Sequence, residues 1–323
     1  MSETIGLLVM AYGTASGPED IERYYTDIRG GRQPSPEHLQ ELTDRYAAIG
    51  NAFPLTEVTT AEAEGLADTL TGRGFGRFRP YLGMKHSPPF ISDTVDRMRS
   101  EGIERAIGIV MAPHWSGMSI QTYTDRVTTA VLEHGGPRFS FVQQWYDHPS
   151  FLSFLTARVA DAHAKLSDAE RENAYTIFSA HSLPTRTIDD GTMRCKYCTA
   201  RRCADRCTYA FQLRDTADRI AAVLDLRAYG TAWQSAGRTA DPWWGPPIED
   251  VIPELAKAGH SAVVVCSAGF VTDHLEILYD LDIEAAKIAA DAGIAFSRTE
   301  MPNADPAFLE VLGDVVGDHL VEN

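Results

Sequence analysis

Apolar residues along this chain gather into short unbroken runs rich in β-branched side chains, and between the runs they recur every three or four positions. The runs occupy residues 5–10, 78–82, 107–111, 139–143, 175–178, 229–233 and 262–266. Runs of that length without polar alternation predict strands buried on both faces. The intervening periodicity predicts helices over 37–48, 59–71, 91–100, 152–164, 211–224 and 275–290. Strand and helix alternating almost end to end predict an α/β fold, with parallel sheets covered by helices on both faces. About four strands fall on each side of residues 145–151, where Asp147, His148, Pro149 and Ser150 suggest a junction. The expectation is two similar doubly wound domains, 1–145 and 146–304. The second includes a Cys-rich insertion at 191–210, and a helix over 305–323 is expected to pack back on the first domain.

Composition narrows the partners. The 323 residues carry a net charge of −16, which repels nucleic acid and anionic membrane surfaces at long range. An acidic small molecule held by local arginines remains compatible with that charge. The longest apolar stretch, 262–271, is broken by Ser267 and falls short of the ~18 residues of a membrane span. The opening Met-Ser-Glu-Thr has no basic or apolar export signal, so a cytoplasmic chain without stable membrane insertion is expected, and a monomer. Four of the five cysteines lie between Cys195 and Cys207, a density that in such a chain reads as a metal site before disulfides.

In an open parallel sheet, ligands bind beyond the carboxyl ends of the strands. Four predicted strands end in small residues followed by Tyr12-Gly13, Pro113-His114, His181-Ser182 and Gly269-Phe270. His181 therefore points from a strand end toward a cleft, unless it merely caps a neighbouring carbonyl. Glu276, Asp280 and Glu284 fall at i, i+4 and i+8, on one face of the predicted 275–290 helix. Like charges so spaced oppose one another. Capping by Asp273-His274-Leu275-Glu276 accounts for the first acid but not for the other two. A line of carboxylates leading from a histidine suits a path for divalent cations or protons. Arg29 and Arg32 in a Gly-rich turn, with Arg45-Tyr46 at the end of the next helix, make an anion-binding rim. The spacing Cys195-x2-Cys198-x4-Cys203-x3-Cys207 suits a [2Fe–2S] cluster or tetrahedral zinc. Arg194, Lys196, Arg201, Arg202 and Arg206 around it would balance the charge of either. Cys266 ends an apolar run and reads as a packed core residue.

The segments GLLVMAYGT, IERYYTDIRGGR, DRYAAIG, APHWSGMSIQTY, FSAHSLP, WQSAGRTADPWWGP and GFVTDHLEILYD together resemble ferrochelatase. Within that family they are most similar to the Gram-positive type acting on coproporphyrin III. The resemblance implies two Rossmann-like domains with porphyrin in the cleft between them. It implies His181 and Glu276 on the face where Fe2+ enters, meeting across a slot one tetrapyrrole wide, and Tyr12 on the other face as a ligand to product iron. Arg29, Arg45, Tyr46, Phe53 and Tyr123 would bind the porphyrin, and Asp280 and Glu284 would extend the acidic path. Phe53 stands where relatives often carry a small hydroxyl residue, and Gly30 where some carry a second arginine. Because some members hold a [2Fe–2S] cluster in this internal segment, the resemblance favours the cluster over zinc at Cys195, Cys198, Cys203 and Cys207. Protoporphyrin IX is the alternative substrate. A non-catalytic porphyrin carrier with a four-cysteine redox sensor is the alternative of a different class.

Overall fold

The computed structural model describes residues 4–189, 191–198, 203 and 206–322. In the first half, strand β1 (Thr4–Ala11) is followed by helices α1 (Ile21–Ile28), α2 (Pro36–Ala48) and α3 (Leu55–Gly72). Then come β2 (Arg77–Met84), α4 (Ile91–Ser100), β3 (Arg105–Val110), α5 (Ile120–His134) and β4 (Arg138–Val142). Helices α6 (Pro149–Ala164) and α7 (Asp168–Glu172) lead to β5 (Ala174–His181) and a small hairpin of β6 (Thr185–Thr187) and β7 (Met193–Cys195). The chain continues through α8 (Thr208–Leu224), β8 (Tyr229–Gln234), α9 (Ile248–Lys257), β9 (Ala262–Cys266) and α10 (Leu275–Leu278). A π-helical segment, Asp280–Ala285, runs into α11 (Ala286–Asp291), and β10 (Ala295–Arg298) and α12 (Pro306–Glu322) complete the described chain.

The larger strands form two four-stranded sheets, β2-β1-β3-β4 and β8-β5-β9-β10, parallel throughout. In each half the first strand lies between the second and the third. The strand order therefore reverses beside β1 in one sheet and beside β5 in the other, and such switch points are where ligands bind. Tyr12 directly follows β1 and His181 ends β5, so they hold equivalent places.

Leu7, Leu8, Val9 and Met10 of β1 and Val263, Val264 and Val265 of β9 are fully buried, as expected of strands covered on both faces. The main apolar cluster spans both halves. It takes in Trp145 and Phe151 of the expected junction, where their rings meet edge to face at 4.7 Å, and Phe308 and Leu312 of α12. Helix α12 packs on α3 and α6.

Two local differences from the sequence pattern matter. The expected single helix over 275–290 is α10, a π segment and α11, because the Glu284 amide bonds the Tyr279 carbonyl, an i→i+5 bond. In a regular α-helix, residues four apart drift roughly 40° around the axis. The wider π turn counters that drift along 276, 280 and 284. The other addition is β10, a four-residue edge strand without a β-branched residue.

Candidate active site

His181 and Glu276 meet because β5 and β9 are neighbours and the loop after β9 folds over the end of β5. That fold needs Gly269: its amide bonds the Ser179 carbonyl at 3.0 Å, and a Cβ there would lie 2.4 Å from the Cβ of Ala180. Gln234, at the end of β8, ties the corner together. Its Oε1 accepts from Ser179 Oγ (2.6 Å) and Ser267 Oγ (2.9 Å), and its Nε2 donates to the Glu276 carbonyl (3.2 Å).

The resulting pair is close: His181 Nε2 lies 3.5 Å from Glu276 Oε1. The other ring nitrogen, Nδ1, faces the Ser182 carbonyl. Both side chains keep about a third of their surface open, 34% and 31%. They are neighbours on one wall, which corrects the expectation that they face each other across the slot; adjacent parallel strands end side by side. Burial pulls the His181 pKa down, but the Glu276 charge and the bonds to Glu276 and Ser182 outweigh it and raise it to about 9. Burial alone would raise Glu276, yet His181 and His274 hold it well below the usual carboxylate range. The resting pair is thus imidazolium and carboxylate. His274 Nε2 lies 3.3 Å from Glu276 Oε2, so two imidazoles bracket the carboxylate.

Beyond Glu276 the acids continue. Asp280 is buried, accepts from Ser235 Oγ and pairs with Arg45 Nη1 at 3.3 Å. Burial raises its pKa to about 7, helped by Glu276 and Glu284 and opposed by Ser235 and Arg45. Glu249, on α9, is itself raised, by burial and then by the charge of Glu284. In the sequence Glu249 reads as an ordinary acid in a first helical turn, and only the fold brings it near Glu284.

Tyr12 stands on the other half of the molecule, 41% exposed, its ring 4.6 Å from His86. Its phenol pKa is raised, by burial and then by the charges of Glu276 and Asp27, so it senses the opposite wall. Lys85 Nζ lies 5.7 Å from the Tyr12 ring and 5.4 Å from the Tyr123 ring, and donates to the Met118 carbonyl. Burial and Arg126 push Lys85 down to about 8, and burial pulls His86 down to about 4 against its 2.6 Å bond to Asp27. Lys85 and His86 follow β2 directly, so they too stand at a strand end.

The expected porphyrin contacts divide. Arg29 is half-buried, and its Nε is buried without a hydrogen-bond partner. Arg45 is engaged by Asp280, its guanidinium 4.9 Å from the Tyr279 ring, and is not a free rim charge. Tyr46 is buried, its OH 3.2 Å from Thr14 Oγ1 and its ring stacked at 4.5 Å on half-buried Phe53. Tyr123 is also buried. These two phenols belong to the wall behind the slot surface rather than to its lining.

The cysteines are buried, and none forms a disulfide. The sulfurs of Cys195, Cys198 and Cys207 all lie within 4.8 Å of one another, and Cys195 Sγ is 3.2 Å from Cys207 Sγ. Cys203 is outside that mutual set, with its thiol 3.4 Å from Thr208 Oγ1. Trp244 Nε1 donates to Cys195 Sγ at 3.1 Å, the kind of outer hydrogen bond that orients a metal ligand. Tetrahedral zinc with bonds of ~2.3 Å sets its sulfurs roughly 3.8 Å apart, so three of the thiols suit one thiophilic ion. A two-iron cluster uses the same donor type with a fourth cysteine. Of the expected counter-charges, Lys196 pairs with Asp241 (2.7 Å) and Arg206 lies over Phe211, while Arg194 is buried. Arg201 and Arg202 lie outside the described residues. Cys266 is buried in β9 among apolar residues.

The thiol hairpin touches both halves. Tyr209 OH, two residues past Cys207, donates to the His181 carbonyl at 3.1 Å, and the Trp244 carbonyl accepts from Ser182 Oγ at 2.7 Å. On the first half, a Cβ at Gly117 would lie 2.4 Å from the Tyr197 carbonyl oxygen, so only glycine admits the hairpin there. Arg238 and Glu41 form a further ion pair between the halves.

The chain is similar to known proteins over nearly its whole length. A family model described as Ferrochelatase matches residues 4–320. The chain is 43% identical over 320 residues to the coproporphyrin III ferrochelatase of Anoxybacillus flavithermus, covering 98% of this chain and 97% of that protein. It is 43% identical over 314 residues to the coproporphyrin III ferrochelatase of Bacillus subtilis, covering 97% and 96%. Among solved structures, SirB from Bacillus subtilis with Fe3+ has a TM-score of 0.55 at 10% identity, covering 98% of this chain and 95% of that one. DR2241 of Deinococcus radiodurans, described as structurally similar to chelatases, has a TM-score of 0.51 at 11% identity over 97% of this chain and 54% of its own. At those identities the likeness concerns the fold alone. No helix among the described residues is long and apolar enough to cross a membrane.

Proposed function

The chain belongs to the ferrochelatase family, and on that premise we propose that it inserts Fe2+ into coproporphyrin III to give coproheme, in heme biosynthesis. The observation that carries the site assignment is the 3.5 Å pair of His181 and Glu276, about one third exposed at one switch point while Tyr12 stands at the other. A porphyrin presents its nitrogen lone pairs in plane with two N–H protons among them, so insertion must admit Fe2+ from one face and release two protons. In our reading, iron approaches on the His181 side and Tyr12 meets the product iron from the other.

Because the resting His181 carries a proton, ionised Glu276 is the first acceptor for a pyrrole proton. Asp280, titrating near neutrality, passes that proton toward Glu284 and Glu249. His181 binds iron only after losing its own proton. A group whose pKa is raised to about 9 is deprotonated in only about 1% of molecules at pH 7, and that fraction grows roughly tenfold per pH unit. We therefore expect kcat/KM for Fe2+ to climb from pH 7 and level off near 9, measured anaerobically by initial rates. A flat profile across that range would remove His181 as a ligand of incoming iron.

Arg29 is our assignment for a propionate contact, since its buried Nε has no partner. Arg45 restrains Asp280, and Tyr46, Phe53 and Tyr123 shape the wall. A charge-assisted hydrogen bond contributes about 1.5–3 kcal/mol, so one such bond from Arg29 to a propionate that protoporphyrin IX lacks favours coproporphyrin by at least about tenfold in kcat/KM. Comparing turnover of Fe2+ on the two porphyrins tests this. Higher turnover on protoporphyrin overturns the substrate, and binding without metallation favours the carrier.

Cys195, Cys198 and Cys207, with Cys203 as fourth ligand, would hold a [2Fe–2S] cluster, with zinc as the alternative. The cluster would supply a one-electron couple, and zinc only rigidity. Four reduced thiols suit a cytoplasmic setting.

A further inference from the structure

Glu62, on α3 of the first half, is a fully buried carboxyl that the reaction above does not use. Its Oε1 accepts a hydrogen bond from Thr272 Oγ1 at 2.8 Å, and its Oε2 is buried with no partner. Burial pushes this carboxyl up to about 8, against the bond from Thr272. A buried acid with only one such bond is expensive to keep.

What it holds explains its presence. Thr272 lies in the loop that carries the second half's catalytic groups. The Thr272 carbonyl lies 2.8 Å from His274 Nδ1, so that nitrogen carries the proton and donates it. This leaves His274 Nε2 aimed at Glu276 Oε2, 3.3 Å away. Glu276 Oε1 in turn faces His181. One continuous series of contacts thus runs from a helix of the first half through Thr272 and His274 to the carboxylate of the second. Asn303 secures the loop separately, through the Asp273 amide and carboxylate, and touches neither Thr272 Oγ1 nor His274 through the bonds described.

We propose that Glu62 is a positioning residue for iron insertion: from the first half, its carboxyl anchors Thr272, and through the Thr272 carbonyl it fixes the tilt of His274, so that Nε2 faces Glu276. Glu62 touches neither porphyrin nor iron. The proposal rests on Glu276 acting as argued under the proposed function.

The test uses the full-length enzyme and the variants Glu62→Leu, Thr272→Val and their combination, with Glu62→Gln and Thr272→Ser as conservative replacements. Glu62→Leu and Thr272→Val should each lower kcat roughly tenfold while KM for porphyrin and for Fe2+ stays within about twofold. The double variant should be no worse than the poorer single one, because both break the same series. Glu62→Gln and Thr272→Ser, which can still make the bond, should recover most of kcat. In 15N-detected imidazole spectra of the iron-free protein, the His274 Nδ1–H signal should shift or broaden in the leucine and valine variants only. Unchanged kcat in both, additive losses, a rise in KM in place of the fall in kcat, or an undisturbed His274 signal would each overturn the proposal. Should Glu62→Leu fail to fold, Thr272→Val decides alone, since it exchanges a hydroxyl for a methyl of the same shape. Wild-type protein that metallates no porphyrin would instead overturn the proposed function.

Discussion

Replacing His181 by alanine is expected to lower iron insertion by about a thousandfold at saturating substrates, while coproporphyrin binding changes by no more than about threefold. The first part follows from what the imidazole does to its neighbour. His181 is the largest influence holding Glu276 ionised against burial. Without it, the carboxylate loses its cation and drifts toward the protonated form, so one substitution removes a ligand for iron and weakens the proton acceptor. The second part follows from geometry: the anion contact assigned to Arg29 and the Tyr12 wall belong to the other half of the fold. Anaerobic turnover and fluorescence titration with metal-free porphyrin separate the two effects. A variant that keeps turnover within tenfold of wild type would show that the pair is not the metallation site.

Cys195→Ser should have the second largest effect, and on a different quantity. Cys195 sits in the main apolar cluster, receives the Trp244 indole N–H and lies 3.2 Å from Cys207 Sγ. Serine retains the shape but is a poor ligand for a thiophilic metal. Metal bound as purified should fall to below about a tenth of wild type. The thermal midpoint should drop by on the order of 10 °C, since binding at such a centre is also folding free energy. Cys266→Ala, in the core of β9, is the control and should leave metal content unchanged. Elemental analysis and visible absorption before and after dithionite read the result and distinguish iron–sulfur from zinc. Full metal content in Cys195→Ser would mean that the three clustered thiols are not ligands.

The sheets were legible because fully buried parallel strands leave uninterrupted apolar runs, as at 262–266. Strand β10 left no such trace: an edge strand reading Ala-Phe-Ser-Arg lacks the β-branched signature. The π segment was illegible for another reason. One extra residue in a helical turn barely alters an apolar period, and only the Glu284–Tyr279 bond reveals it. At the site, residues at strand ends stood out by position, His181 and Tyr12 above all. Those whose role depends on an unseen neighbour did not. Glu62 reads as one more acid in Thr-Ala-Glu-Ala-Glu until Thr272 is placed beside it. Arg45 reads as a rim charge until Asp280 engages it. Tyr46 and Tyr123 have the right chemistry for a propionate, but a sequence does not say that the rings are turned inward.

Gly117 carries a consequence for how the two halves hold together. The two halves are joined along the slot by seams of unlike character. At Gly117 the backbone of the thiol hairpin rests where any side chain would stand, and such a fit parts only by repacking. Elsewhere the halves share the main apolar cluster and the buried Glu62–Thr272 bond, and of the two ion pairs between them Arg238 with Glu41 is the exposed one, which loosens and re-forms as water and salt exchange with it. A side chain at Gly117 would therefore push the hairpin off the first half, and with it the neighbouring Tyr209 whose hydroxyl holds the His181 carbonyl.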